Sequence, residues 1–129
     1  MIRDGILNPA INDLISRVRH TNTLVIADRG FPFWTMIETI DISLVDDIPT
    51  VLDVLHALQQ QCVFGQIRMA EEFKQHNSAS KQAAFRHAIG SIPMEYLPHD
   101  VFKQHVPSAI GLIRTGDTTP YANMILESA

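Results

Sequence analysis

The chain has 129 residues, 46% of them apolar, a formal net charge of −4 and a single cysteine, Cys62. That length suits one domain, residues 1–129, around one core. Charges of both signs are interspersed without a basic, aromatic-laced stripe, which argues against nucleic acid, and a lone cysteine excludes an internal disulfide framework or a cysteine-built zinc site.

No apolar run is long enough to span a bilayer. The opening "MIRDGILNP" has an acid and a proline where a signal peptide needs an apolar stretch. A reducing cytoplasm is the expected location.

In chain order, "NPAINDLISRVRH" predicts a helix, with Asn8 as cap, Pro9 at the first helical position, and Ile11, Leu14, Ile15 and Val18 on one face. "TLVIAD" predicts a buried strand. Gly30 and Pro32 break "RGFPFW" into a loop with exposed aromatics. "MIETIDISL" alternates as a second, less buried strand. "IPTVLDVLHALQQQ" is a helix capped near Thr50, with Val51, Leu55 and Leu58 inward.

"VFGQIRMAEEF" alternates as a strand. "NSASKQAAFRHAIG" is a helix between caps at Asn77 or Ser78 and a terminal Gly90. "IPMEYL" is a strand and "PHDVFKQHV" a short helix. "SAIGLIRTG" and "YANMILES" are the last strands, joined by "DTTP" and close enough for a hairpin. This alternation predicts an α/β fold, with helices layered on a mostly parallel sheet. Ligands of such sheets sit beyond the carboxyl ends of strands. Asp28 lies at one such end, and His20 in the loop before the same strand, which places both near one rim.

The sequence lacks a phosphate-binding glycine loop and a G-x-S-x-G elbow. Six histidines are the richer resource. His56, His76 and His87 fall on or beside helix surfaces and read as solvated. His99 and His105 are six apart, which does not place two ligands on one helical face. No histidine–carboxylate metal motif is present, so no metal is expected. His20 and Asp28 each have an ordinary structural reading, as a loop residue and a turn former. Tyr121 and Asn123 can equally be a half-buried edge or hydrogen-bonding groups for a polyhydroxylated ligand. Phe31, Phe33 and Trp34 suit a sugar face, a subunit interface or the core.

Taken together, "ILNPAINDLISRVRHTNTLVIADRGFP", "IDISLVDDIPTVLDVL", "MAEEFKQHN", "PHDVFKQ" and "IRTGDTTPYANMIL" resemble the D-ribose pyranase / L-fucose mutarotase family, its ribose branch more closely. The resemblance implies a three-layer α/β sandwich and a ring-like homo-oligomer, often a decamer, with sites where subunits meet. It implies a cofactor-independent isomerase that interconverts ring forms or anomers of a free, D-ribose-like aldose. By position, His20 resembles the catalytic acid/base. Asp28, His99 and the Tyr121-Ala122-Asn123 tripeptide resemble substrate-binding residues.

Opening a hemiacetal needs a proton removed from the anomeric hydroxyl and one delivered to the ring oxygen. An imidazole, with an ordinary pKa of about 6.5, suits both transfers. The chain departs from the family pattern at several positions. Arg19 stands where the family usually has a glycine, which supplies a left-handed residue that Arg19 cannot take cheaply. Arg29 and Trp34 add charge and bulk to a loop that usually reads D-A-G-L-P-I-P, and so mark a possible specificity loop. The same residues admit a rival reading, a non-catalytic sugar-binding or regulatory protein on the same fold.

Overall fold

The sheet is built outward from Thr23–Ala27 (β1), in a computed structural model that describes residues 1–129. Successive side chains of β1 face opposite ways. Leu24 and Ile26 enter one apolar cluster, and Val25 and Ala27 a second. A strand covered on both faces reads as a continuous apolar run, as "TLVIA" does.

The other strands are Glu38–Asp41 (β2), Phe64–Ala70 (β3), Met94–Leu97 (β4), Gly111–Arg114 (β5) and Met124–Ser128 (β6), in the order β2-β5-β1-β6-β3-β4. β1 pairs in parallel with β5, β5 with β2, and β3 with β4. Only β6 runs the other way, antiparallel to both β1 and β3. The carboxyl ends of five strands therefore share one rim with the start of β6.

Helices Pro9–Ser16 (α1), Val51–Gln59 (α2), Glu72–His76 (α3) and Ala79–Ile89 (α4) supply the larger cluster. Leu14, Leu55, Leu58 and Phe73 are fully buried there, each worth about 1.5–3 kcal/mol of transfer free energy. Helix His99–His105 (α5) covers the opposite face through Phe102, with Val106 just beyond it. The expected three layers and mostly parallel sheet are present. No helix is long and apolar enough to cross a membrane.

The caps follow the sequence. Asn8 Oδ1 accepts the Ile11 N–H at 3.1 Å, with Pro9 opening α1. Thr50 and Asp53 form a reciprocal capping box on α2. Ser78 caps α4, and Gly90 ends it at φ 65°.

Three expectations are corrected. "EEF" does not extend β3: the strand stops at Ala70, and residues 72–76 form α3. The last two strands are not a hairpin, because β1 lies between β5 and β6 and pairs with both. Tyr121 does not begin a strand, since its φ of 55° is incompatible with a β conformation, and pairing starts only at Met124. Arg19 avoids the left-handed conformation, as its side chain requires, and Thr21 takes it instead, at φ 66°. The turn is held by Asn22 Oδ1, which accepts the Arg19 N–H at 2.9 Å.

Candidate functional site

The segment between β5 and β6 crosses over the end of β1, and most of its polar side chains are buried rather than solvated. Thr115, Asp117, Thr119 and Asn123 are all under 9% exposed, so each must find partners inside. Thr115 Oγ1 donates to the Ala27 carbonyl at 2.8 Å and accepts the Asp117 N–H at 3.1 Å. The Asp117 carboxylate accepts the Val51 N–H at 2.9 Å and the Thr119 N–H at 2.8 Å. Its position at the start of α2 is favoured by the helix dipole. Gly116 is required because a Cβ there would run into the Val45 carbonyl.

At the end of β5, Arg114 donates to the carbonyls of Asp28 at 3.2 Å, Arg29 at 3.4 Å and Pro32 at 3.3 Å. Asn123 Oδ1 accepts the Asp28 N–H at 2.7 Å. "RTGDTTPYAN" is therefore the framework that shapes the loop after β1.

The two segments enclose a pocket of about 230 Å³. Asp28, Gly30, Phe31 and Pro32 line it from the loop after β1, His99 from the start of α5, and Pro120, Tyr121 and Asn123 from the lead into β6. It lies beyond the carboxyl ends of the parallel strands, where α/β sheets hold ligands. Its volume is below the roughly 300–1,000 Å³ of clefts for drug-sized ligands, which suits a small polar molecule. A larger groove of about 350 Å³ runs between the N-terminal segment and α2, but its lining is mainly aliphatic.

Burial holds the Asp28 carboxyl above its ordinary value. Hydrogen bonds from the Gly30 and Phe31 N–H groups and from the Asn123 side chain pull the other way, and the charge of Asp117 adds to the rise. The His99 ring lies against Phe31, Phe102 and Tyr121, its centroid 5.0 Å from that of Tyr121 and nearly perpendicular to it. Its Nε2 is buried and has no hydrogen-bond partner.

Four of the sequence-selected residues, Asp28, His99, Tyr121 and Asn123, meet in this pocket. Ala122 stays outside it: the whole residue, main chain included, is buried in the main core and does not line the pocket. His20 does not join them. It is exposed, in the turn before β1, whereas Asp28 follows that strand. At roughly 3.3 Å per residue, β1 separates the two rims by about 16 Å. The expectation that both lie near one rim is overturned, because a strand carries its two flanking loops to opposite edges.

Arg29 and Trp34 do not line the pocket. Arg29 pairs with Asp46 at 2.6 Å on the surface, and Trp34 packs against the smaller apolar cluster. Of the aromatics expected to be exposed, Phe31 is buried at 5% and only Phe33 is strongly exposed, at 69%. Sequence reasoning offered Phe31 a sugar-facing role as one of three readings, and missed Pro120 and the clamp Arg114. The arginine of "IRTGDTTPY" was the available signal, since a charge closing a buried strand needs acceptors.

The chain matches the model of the RbsD / FucU transport protein family over residues 1–129. It is 41% identical over 128 residues to a D-ribose pyranase of Geobacillus kaustophilus, covering 99% of this chain and 93% of that one. The structure of Bacillus subtilis RbsD complexed with D-ribose is similar with a TM-score of 0.92 at 34% identity, over 100% of this chain and 98% of that one. The fucose mutarotase of Streptococcus pneumoniae, solved with L-fucose, shares the fold with a TM-score of 0.79 at 19% identity, over 95% and 93% of the two chains.

Proposed function

The chain belongs to the RbsD / FucU family, and on that footing we propose that it is a sugar-ring isomerase, interconverting the ring forms or anomers of a free, D-ribose-like aldose. The observation that carries this reading is the convergence of Asp28, His99, Tyr121 and Asn123 on one small pocket, where His99 Nε2 has no protein partner. An unpartnered buried nitrogen calls for an explanation, and a sugar hydroxyl supplies one.

In this reading, Asp28 and His99 receive sugar hydroxyls. Tyr121 and Asn123 close the pocket, and Ala122 between them anchors the segment in the core. His20 moves the protons, taking one from the anomeric hydroxyl and returning one to the ring oxygen. No bond to the protein is needed.

Because β1 keeps His20 at the far rim of its own chain, the acid/base at each pocket is His20 of a neighbouring subunit. The working form is a homo-oligomeric ring, a decamer in the family pattern, in a cytoplasmic setting that the lone cysteine supports. Arg29 and Trp34 then border the subunit contact more closely than the sugar. Were the chain to stay monomeric, the pocket would bind a sugar without its acid/base, which is the binding-protein reading.

Saturation-transfer NMR on a panel of aldoses tests the proposal. Catalysis transfers magnetisation between anomers or ring forms at equilibrium, with ribose the best substrate. Sugar binding without any gain in exchange leaves only a binding protein.

A further inference from the structure

Beyond its part in the core, α3 lies against the wall of the pocket. α3 has five residues, and Phe73 anchors it to the core, fully buried with its ring 4.7 Å from that of Phe85. Three polar groups from this segment end on residues of the pocket wall.

The Glu72 carboxylate accepts the His99 N–H through both oxygens, at 3.1 and 3.0 Å. α5 follows Pro98, whose side chain makes no cap hydrogen bond, so Glu72 takes the part of a cap from another helix. One turn later the His76 ring lies 5.1 Å from that of Tyr121. Residues four apart share a helical face, so the face that presents Glu72 to α5 also presents His76 to Tyr121. Asn77 Nδ2 donates to the Pro120 carbonyl at 2.9 Å and to the Phe73 carbonyl at 2.8 Å.

Tyr121 needs such support. Its φ of 55° is a conformation that a bulky L-residue keeps only where its surroundings over-determine it. Its ring is held between His76 and His99.

Resting on the sugar-site reading above, we propose that Glu72, His76 and Asn77 are positioning residues: α3 is a bracket that fixes the separation of His99 and Tyr121 across the pocket. They act through those two residues, so their loss loosens ligand placement before it harms proton transfer. "MAEEFKQHN" thus encodes a support of E-x-x-x-H-N form.

The test compares His76→Ala, His76→Phe, Asn77→Ala and Glu72→Gln by ribose exchange kinetics, thermal melting and the ¹⁹F spectrum of fluorotyrosine-labelled protein. The chain has two tyrosines, and Tyr121→Phe assigns the lines. His76→Ala, Asn77→Ala and Glu72→Gln should raise KM about three- to tenfold, as expected for losing one supporting contact, with kcat within about twofold. The Tyr121 line should shift or broaden in each. His76→Phe, which keeps the stacked ring, should restore both.

An unmoved Tyr121 line with unchanged KM in His76→Ala and Asn77→Ala overturns the bracket. So does a loss of kcat that merely follows the melting temperature. A wild-type protein that neither binds nor exchanges ribose, while its Tyr121 line responds to these variants, overturns the sugar reading and upholds the bracket.

Discussion

At the scale of single residues, the proposed site couples stability to function through Asp28. Burial raises this carboxyl above its ordinary value, so the folded protein holds that proton more tightly than the unfolded chain does. Its contribution to stability is therefore full below the ordinary aspartate range, near pH 3.9, and is lost as pH rises through the elevated folded value. Asp28→Asn removes the cost of the buried charge while still able to accept the Gly30 N–H that Asp28 Oδ1 now accepts at 3.0 Å. Scanning calorimetry should find this variant melting above wild type at pH 7, with the difference closing as pH falls toward 4. Its ribose kcat/KM should drop about 10- to 100-fold, the worth of a hydrogen bond to a charged group. Asn123→Ala should behave differently. It leaves the Asp28 N–H unpaired in a half-buried position, a loss of about 1 kcal/mol that chemical denaturation will read alongside weakened sugar affinity. His20→Asn should cost about 10²-fold or more in kcat, with affinity changed far less, since proton transfer is absent from the ground state.

At the scale of elements, most of the fold was legible because its signals are local. The caps at Asn8, Thr50 and Ser78, and the doubly buried run of β1, need no knowledge of what packs against them. What was not legible is non-local. Insertion of β1 between β5 and β6 is invisible in "IRTGDTTPYANMIL", where a short Gly/Asp/Pro linker suggests a hairpin. The site was legible in part: four residues of a resemblance meet in one pocket, but the rim on which each falls depends on strand direction. The buried crossover is the element most open to test. Gly116 lies against the Val45 carbonyl, with Ile48 N and O also within 3.3 Å of a built Cβ, and its own N–H bonds the Pro49 carbonyl at 2.9 Å. Backbone cannot give way as a flexible side chain does, so Gly116→Ala should destabilise by about 1–3 kcal/mol in denaturant titrations. Gly111→Ala should cost less, because its close neighbours are the terminal methyls of Leu14.

At the scale of the whole molecule, the isolated chain is unfinished in two respects. Phe33 and Met36 on one loop, and Leu44, Val45 and Ile48 on another, are each more than half exposed. The Arg29–Asp46 pair ties the two loops together, and apolar clustering of this kind marks surfaces that another protein covers. The second respect is chemical: the proposed base and the pocket occupy opposite edges of one sheet. A ring of identical subunits resolves both if each chain lends His20 to its neighbour. The direct test is complementation, in which His20→Asn and Asp28→Asn chains are co-expressed in equal amounts and ribose exchange is measured on the mixed oligomer at low sugar. A site built from two chains finds an intact His20 beside an intact pocket in about a quarter of random pairings, so about a quarter of wild-type activity should return although each parent is nearly inactive. Recovery no greater than the average of the two parents would show that each site is made within one chain, and would contradict the shared site.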